Sequence, residues 1–308
     1  MIYSSKDIHI ELGKIIYKTG VVSVKIALLS DIHGNYAALS ACLKYINENN
    51  FTGIAFLGDY ITDCPYPQKV IELLYKAKKN YKTWFIRGNR EEYVINHYEN
   101  DEDNWSYNSK TGSLLYTYEN LTMEDIAFFK SMPITDNISI ENCKPFSICH
   151  GSPENITEHL LPNKGNTNNC LGKLENDYLF CGHTHAPFHY EYKGKTLVNC
   201  GSVGMPINSQ PNAQFVQIQY NDTKWDINTL SIPYNINSLL QDFEESGIYR
   251  KGFLWSRGVA ETLKSGINYP MLLLEKATQL AKFYNEDLSE KHWQQAWEII
   301  KGLSPVQH

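Results

Sequence analysis

The run Val24 to Asn35, VKIALLSDIHGN, constrains this chain more than any other stretch. Its apolar half is too short for an ordinary helix and is bounded by Asp, Gly and Asn, so it predicts a fully buried strand ending in a loop. That loop carries Asp31 and His33, two metal-competent side chains with one residue between them. The pattern recurs: GIAFL runs into Gly58-Asp59, KTWFIR into Gly88-Asn89, PFSIC into His150-Gly151, and DYLFC into Gly182-His183-Thr184-His185. Ligands in open α/β sheets collect beyond the carboxyl ends of the strands. The five strand ends are therefore expected to supply one site.

The segments between these runs read as βα architecture. Apolar residues at Ala38, Leu39, Cys42, Leu43 and Ile46 have the spacing of an amphipathic helix packed on a sheet. Pro65 and Pro67 stand ahead of a second helical stretch, QKVIELLYKAKK, where proline suits a helix start. Past Asn89 the pattern changes. Residues 90–131 combine helical pieces with a polar loop, and we expect them to form a lid insertion over the site. Trp105, Tyr107, Tyr116 and Tyr118 lie in it; their faces either stack a nucleobase at a pocket rim or pack the lid itself.

From Ile134 onward, ITDNISI, PFSIC, DYLFC, FHYEY, KTLVN and AQFVQIQY read as strands, with hairpins and a second sheet toward the end. Gly201 and Gly204 flank a turn where backbone is expected to pass close to the site. This gives a core domain over residues 24–233 and a helical C-terminal appendage over 234–308, which packs on the core or serves a homodimer. Residues 1–23 lack a clear period. They read as a poorly ordered extension, an edge strand, or the product of a start codon assigned too far upstream.

Composition narrows the class of protein. With 308 residues and 42% hydrophobic content, there is ample material for a core. A formal charge of -6 disfavours a long DNA or RNA partner. The seven cysteines are odd in number, scattered, and without C-x-x-C pairing, so neither a disulfide framework nor a zinc ribbon is indicated; Cys149 and Cys181 read as small core residues. No stretch approaches the ~20 apolar residues of a membrane span, and no secretory leader opens the chain. A cytoplasmic protein without a membrane partner is expected.

Asp31, His33, Asp59, Asn89, His150, His183 and His185 offer three oxygen and four nitrogen ligands, too many for one first-row ion with an open position. They suit two. Mixed carboxylate and imidazole sets fit manganese, iron, zinc or cobalt better than magnesium or calcium. Two such ions, roughly 3.5–4 Å apart, can hold a bridging hydroxide and clamp a phosphoryl group for in-line attack. Phosphoester hydrolysis follows.

The motifs D-x-H, G-D, G-N, H-G and G-H-T-H, in this order and each at a strand end, resemble the calcineurin-like metallophosphoesterase superfamily. The compact spacing and the stretch NCGSVGMP resemble its small bacterial phosphodiesterase and diadenosine tetraphosphatase branch, with Cys200 in place of the usual proline. The resemblance implies a two-sheet αββα sandwich. It also implies that Asp31, His33 and His185 bind one metal, that Asn89, His150 and His183 bind the other, and that Asp59 bridges them. Asp59, Asn89, Arg90 and His150 would then surround the reacting phosphate. His9, His97, His159, His189, His292 and His308 match no motif and are expected to be structural.

Arg90 is the informative departure, because many members of the superfamily carry histidine after G-N to help protonate the leaving oxygen. Arginine cannot donate that proton near neutral pH, although it can hold a phosphate. The alternative for Arg90 is a salt bridge to Glu91 or Glu92. Without a strong acid there, anhydrides such as dinucleoside polyphosphates are favoured over alkyl esters. The competing readings are a phosphodiesterase on a cyclic nucleotide or other small diester, a protein phosphatase, and a non-catalytic metal-binding scaffold. A Rossmann site is not supported, as no G-x-G-x-x-G follows the first strand.

Overall fold

The computed structural model describes residues 24–100, 104–208 and 210–302 in full, with the backbone of β1 (Ile10–Glu11) and β2 (Lys14–Ile15). These two short strands pair antiparallel with each other. The rest of the expected 1–23 extension lies outside the described residues.

The first sheet begins with β3 (Lys25–Leu29), β4 (Gly53–Leu57) and β5 (Lys82–Ile86), which run parallel and are joined by α1 (Tyr36–Glu48) and α2 (Pro67–Asn80). After β5 come α3 (Asn89–Glu99), α4 (Gly112–Glu119) and α5 (Met123–Lys130). The second sheet is assembled from β6 (Thr135–Ile138), β7 (Phe146–Cys149), β8 (Tyr178–Cys181), β9 (Phe188–Tyr192) and β10 (Lys195–Asn199), in the order β6-β7-β8-β10-β9, with α6 (Gly165–Lys173) before β8.

Period-two alternation explains how the sheets stack. Ile26 and Leu28 face the inter-sheet core with Phe146, Ile148, Phe180 and Val198, while Ala27 and Leu29 face the helical layer with Leu39, Val70 and Leu74. Each large apolar side chain buried this way contributes about 1.5–3 kcal/mol. The expected two-sheet sandwich is what forms.

One strand is not where the sequence suggests. AQFVQIQY, expected in the second sheet, is β11 (Ala213–Tyr220) and pairs antiparallel with β3 in the first, Val216 opposite Leu28. Phe215 faces the helices and Val216 and Ile218 face the other sheet, so the strand is apolar on both faces and suits this interior place. β12 (Trp225–Ile232), not foreseen, pairs with it and completes the order β12-β11-β3-β4-β5.

The C-terminal helices are α7 (Ile236–Glu245), α8 (Ile248–Lys251), α9 (Phe253–Ser265), α10 (Tyr269–Tyr284) and α11 (Glu290–Ile300). Leu239, Phe243, Ile248, Val259 and Leu263 pack around Cys64, Tyr116 and Met205, which come from three loops and helices of the core. Leu254, Leu273, Ala277, Trp293 and Ala296 then tie α10 and α11 onto α9.

Candidate metal centre

The loops beyond β3, β4 and β8 adopt a conformation that side chains seldom take. Asp31, His33, Asp59, His183 and His185 all have φ between 50° and 66°, in the left-handed region. For residues other than glycine this costs of order 1–3 kcal/mol each, so the surroundings must enforce it. They do so by binding the loops to one another. Asp31 N–H donates to Gly58 O at 3.1 Å, His33 N–H to Asp59 O at 2.9 Å, and Gly204 N–H to Asp31 O at 2.9 Å. The packing leaves no room for a β-carbon at Gly182, which would sit 1.8 Å from Ser30 Oγ, or at Gly204, 1.8 Å from Ile32 O. The expected close passage at Gly204 is thus present. Cys200, in place of proline, donates its N–H to Cys181 O at 2.8 Å, a bond proline cannot make.

Glu91 pins the remaining loops. Its buried carboxylate accepts the backbone N–H groups of Asp59, Tyr60 and Gly88, each at 2.8 Å, joining the β4 and β5 strand ends. Burial, and then the charge of Asp59, push Glu91 up to about 7, against the pull of those three donors. Sequence reading weighed Glu91 only as a partner for Arg90 and missed this role; an acidic side chain in the first turn of α3 was the available signal.

The seven expected ligand residues converge. Ligand atoms of Asp31, His33 and His185 lie within 4.8 Å of one another, as do those of Asp59, His150 and His183. Asn89 Oδ1 lies 3.1 Å from His150 Nε2. Asp59 Oδ2 is 3.7 Å from His33 Nε2 and 3.4 Å from His150 Nε2, between the two groups.

Each imidazole is held by its outer nitrogen. His150 Nδ1 bonds Leu57 O at 2.7 Å, His185 Nδ1 bonds Met205 O at 2.7 Å, His183 Nε2 bonds Thr157 O at 3.1 Å, and His33 Nδ1 bonds Asp63 Oδ2 at 2.9 Å. Carbonyl and carboxylate acceptors require N–H on those nitrogens, so the nitrogens facing inward are the ones that present lone pairs when a ring is neutral. Metal-ligating histidines are held this way.

Inside the site the geometry suits cations. Once the inward nitrogens give up their protons, as metal binding requires, the Nε2 lone pairs of His33 and His185 face each other at 3.0 Å. Among the described residues the buried Asp31 Oδ1 has no hydrogen bond of acceptable geometry, although His185 Nε2 is 3.2 Å away. An ion between such groups relieves both faults, so the residues fit two metals.

Charge in the cluster follows the carboxylates. Burial opposes a charged ring at His33, yet Asp31, Asp63 and Asp59 more than offset it and raise it to about 9. His150 is also raised to about 9, burial being outweighed by Asp59 and Asp31. Burial, with His150 beside it, lowers His183 to about 4. Asp59 is buried but held down at about 2 by His150 and His33.

Arg90 pairs with neither of the two glutamates weighed as its salt-bridge partners. Its Nη2 lies 3.4 Å from Asp63 Oδ2 and its Nε 3.9 Å from Asp59 Oδ2, between the rings of Tyr93 and Trp255. Glu91 is taken up by backbone, and Glu92 pairs with Arg87 at 2.8 Å, so neither is the partner of Arg90. Three of the four aromatics of this segment are packed: Trp105 stacks on His97 at 4.0 Å, Tyr118 meets the same ring edge-on, and Tyr116 is buried against α7–α9. Tyr107 is exposed and bonds Glu119. Asp63 and Trp255 were not anticipated, and His159, expected to be structural, lies with its ring 4.5 Å from that of His183.

The sequence pattern of the calcineurin-like phosphoesterase superfamily domain matches residues 24–223. The uncharacterized protein MJ0912 of Methanocaldococcus jannaschii is 27% identical over 235 residues, covering 70% of this chain and 90% of that protein. Among solved structures, the hypothetical protein PH1004 from Pyrococcus horikoshii superposes with a TM-score of 0.67 at 21% identity, over 79% of this chain and 98% of its own. A metallophosphoesterase from Sphaerobacter thermophilus gives 0.64 at 20% identity, over 80% of this chain and all of its own. These two share the fold.

Proposed function

This chain belongs to the calcineurin-like phosphoesterase superfamily and is a metal-dependent phosphohydrolase, and from that premise we propose that it cleaves small phosphoanhydrides, with dinucleoside polyphosphates as the best-matched class. The observation that supports this reading is Arg90. An arginine anchored on Asp63 at 3.4 Å stands where many relatives carry a proton-donating histidine, and it cannot protonate a departing alkoxide. A phosphate or nucleotide leaves an anhydride with little protonation, so such substrates tolerate the arginine best. The packed rings of Trp105, Tyr116 and Tyr118 contribute nothing to base recognition in this reading.

The chain's own residues divide the work. Asp31, His33 and His185 would hold one ion, Asn89, His150 and His183 the other, and Asp59 would contribute to both. Mixed oxygen and nitrogen donors support manganese, iron, zinc or cobalt. When bound, two such ions lower the pKa of water and neutralise charge on phosphoryl oxygens. Arg90 adds fixed positive charge beside Asp59. The loops bury Asp31, His33, Asp59 and His150 and leave His183 and His185 partly exposed. All seven cysteines are free, which supports a cytoplasmic setting.

The test is a hydrolysis panel with manganese: diadenosine tetraphosphate, bis-p-nitrophenyl phosphate, cyclic AMP and a phosphopeptide. The dinucleotide should turn over fastest, and preference for either diester would move the activity to a phosphodiesterase. Arg90→Ala should lower kcat/KM by about 10-fold or more, from loss of one charge-assisted contact worth ~1.5–3 kcal/mol. An unchanged kcat/KM would remove Arg90 from substrate turnover.

A further inference from the structure

Asp63 is the junction between the metal centre and the C-terminal helices. Its Oδ2 accepts from His33 Nδ1 at 2.9 Å and from Thr62 Oγ1 at 3.0 Å, with Arg90 Nη2 at 3.4 Å. Its Oδ1 accepts from the indole Nε1–H of Trp255 at 2.6 Å, while Ser113 Oγ stands at 3.5 Å. Asp63 is fully buried, and its backbone lies in the left-handed region at φ 69°. Among the described residues Trp255 is thus the one short bond on Oδ1.

Trp255 sits on α9, beyond residue 223 where the family match ends, and 192 residues from Asp63 in sequence. Packing fixes its ring. It lies against the clusters formed by α7–α9 and by α9–α11, meets Trp293 edge-on at 6.4 Å, and has the Arg90 guanidinium 5.9 Å from its ring centre. The C-terminal helices therefore hold a hydrogen-bond donor at a fixed point behind a metal-facing histidine.

We propose that Trp255 is a positioning residue for the metal centre: the C-terminal helices set the orientation of His33 by clamping Asp63. The inference rests on the metal assignment of His33 and extends it to a region outside the family match. With the clamp in place, the carboxylate stays aligned on His33 Nδ1 and keeps Nε2 aimed at Asp31 and His185. Without it, Oδ1 retains only the long approach of Ser113, and the carboxylate can turn toward Arg90.

The experiment titrates manganese into metal-free full-length protein by calorimetry, comparing the parent with Trp255→Phe. Phenylalanine keeps an aromatic face for Arg90 and Trp293 and removes the N–H. The expected result is about 10-fold weaker binding in one of the two steps, the low end for an outer partner of a metal-binding histidine. The same step should weaken in Asp63→Asn, and the double variant Asp63→Asn/Trp255→Phe should be no weaker than Asp63→Asn alone. Unchanged affinities in Trp255→Phe, or additive losses in the double variant, would overturn the clamp. Should Trp255→Phe lose thermal stability, the additivity test still decides, because packing losses would add to those of Asp63→Asn. If the parent binds no manganese, the metal assignment itself fails, and that outcome is distinct from a parent that binds while Trp255→Phe matches it.

Discussion

The two halves of the metal centre look alike from the inside and differ behind. In the half built from Asp59, His150 and His183, both imidazoles are held by backbone carbonyls, of Leu57 and Thr157. In the half built from Asp31, His33 and His185, one ring is held by the carbonyl of Met205 and the other by the carboxylate of Asp63. A carbonyl is placed by the fold and survives any side-chain substitution that leaves the backbone in place. A carboxylate makes its histidine more basic and can be deleted by one substitution. The half with the stronger outer partner is therefore also the more vulnerable one, and the one that distant residues can adjust.

The largest effect should come from the residue common to both halves. Asp59 lies within 4 Å of an imidazole from each cluster. Asp59→Asn keeps the size and removes the charge, so manganese binding should fail in both steps. Turnover should fall by more than the ~100-fold that loss of an outer partner costs. Far-UV circular dichroism should not change, since the Asp59 backbone N–H still bonds Glu91. A variant that loses one metal and keeps the other would show two independent sites with no shared ligand.

Breaking the comparison at its asymmetric point should give a smaller and one-sided loss. Asp63→Asn should weaken one manganese step by about 10–100-fold and leave the other alone. Thr157→Ala, which alters only the side chain of a residue that acts through its carbonyl, should leave both steps unchanged. Equal losses in both steps for Asp63→Asn would mean that Asp63 supports the loops in general and not His33.

Much of this centre can be read along the chain because its ligands follow local rules. A buried strand, a glycine and a polar residue announce Asp59 and His183 within a few residues, and the period of the apolar positions places the strands. What supports the ligands follows no such rule. Asp63 looks like any loop acid until its neighbours are brought in, and Trp255 comes from a helix joined to it only by folding. The path of β11 was misplaced for a related reason: pairing partners are chosen by burial on both faces, and AQFVQIQY reads the same in either sheet. Arg90 was legible as a departure, but its partner across 27 residues was not.

Protons sharpen the comparison most finely, because here the two halves should behave the same. His33 and His150, one from each cluster, are both raised to about 9 where carboxylates outweigh burial. A ligand nitrogen must be free of its proton to bind a metal, so each binding step has to expel one proton below that value. Affinity should then fall as pH drops below about 9, by about 10-fold per pH unit in each step, and level off above it. Calorimetry in buffers of different ionisation enthalpy would count the protons directly. Asp63→Asn adds the decisive contrast. Removing that carboxylate withdraws one of the charges that raise His33, so its pKa should drop toward the ordinary value and the slope of that step should flatten near neutral pH. The step governed by His150 should keep its slope. If both slopes flatten together, the two rings titrate as one unit through Asp59, and the halves differ in their outer partners without differing in their proton chemistry.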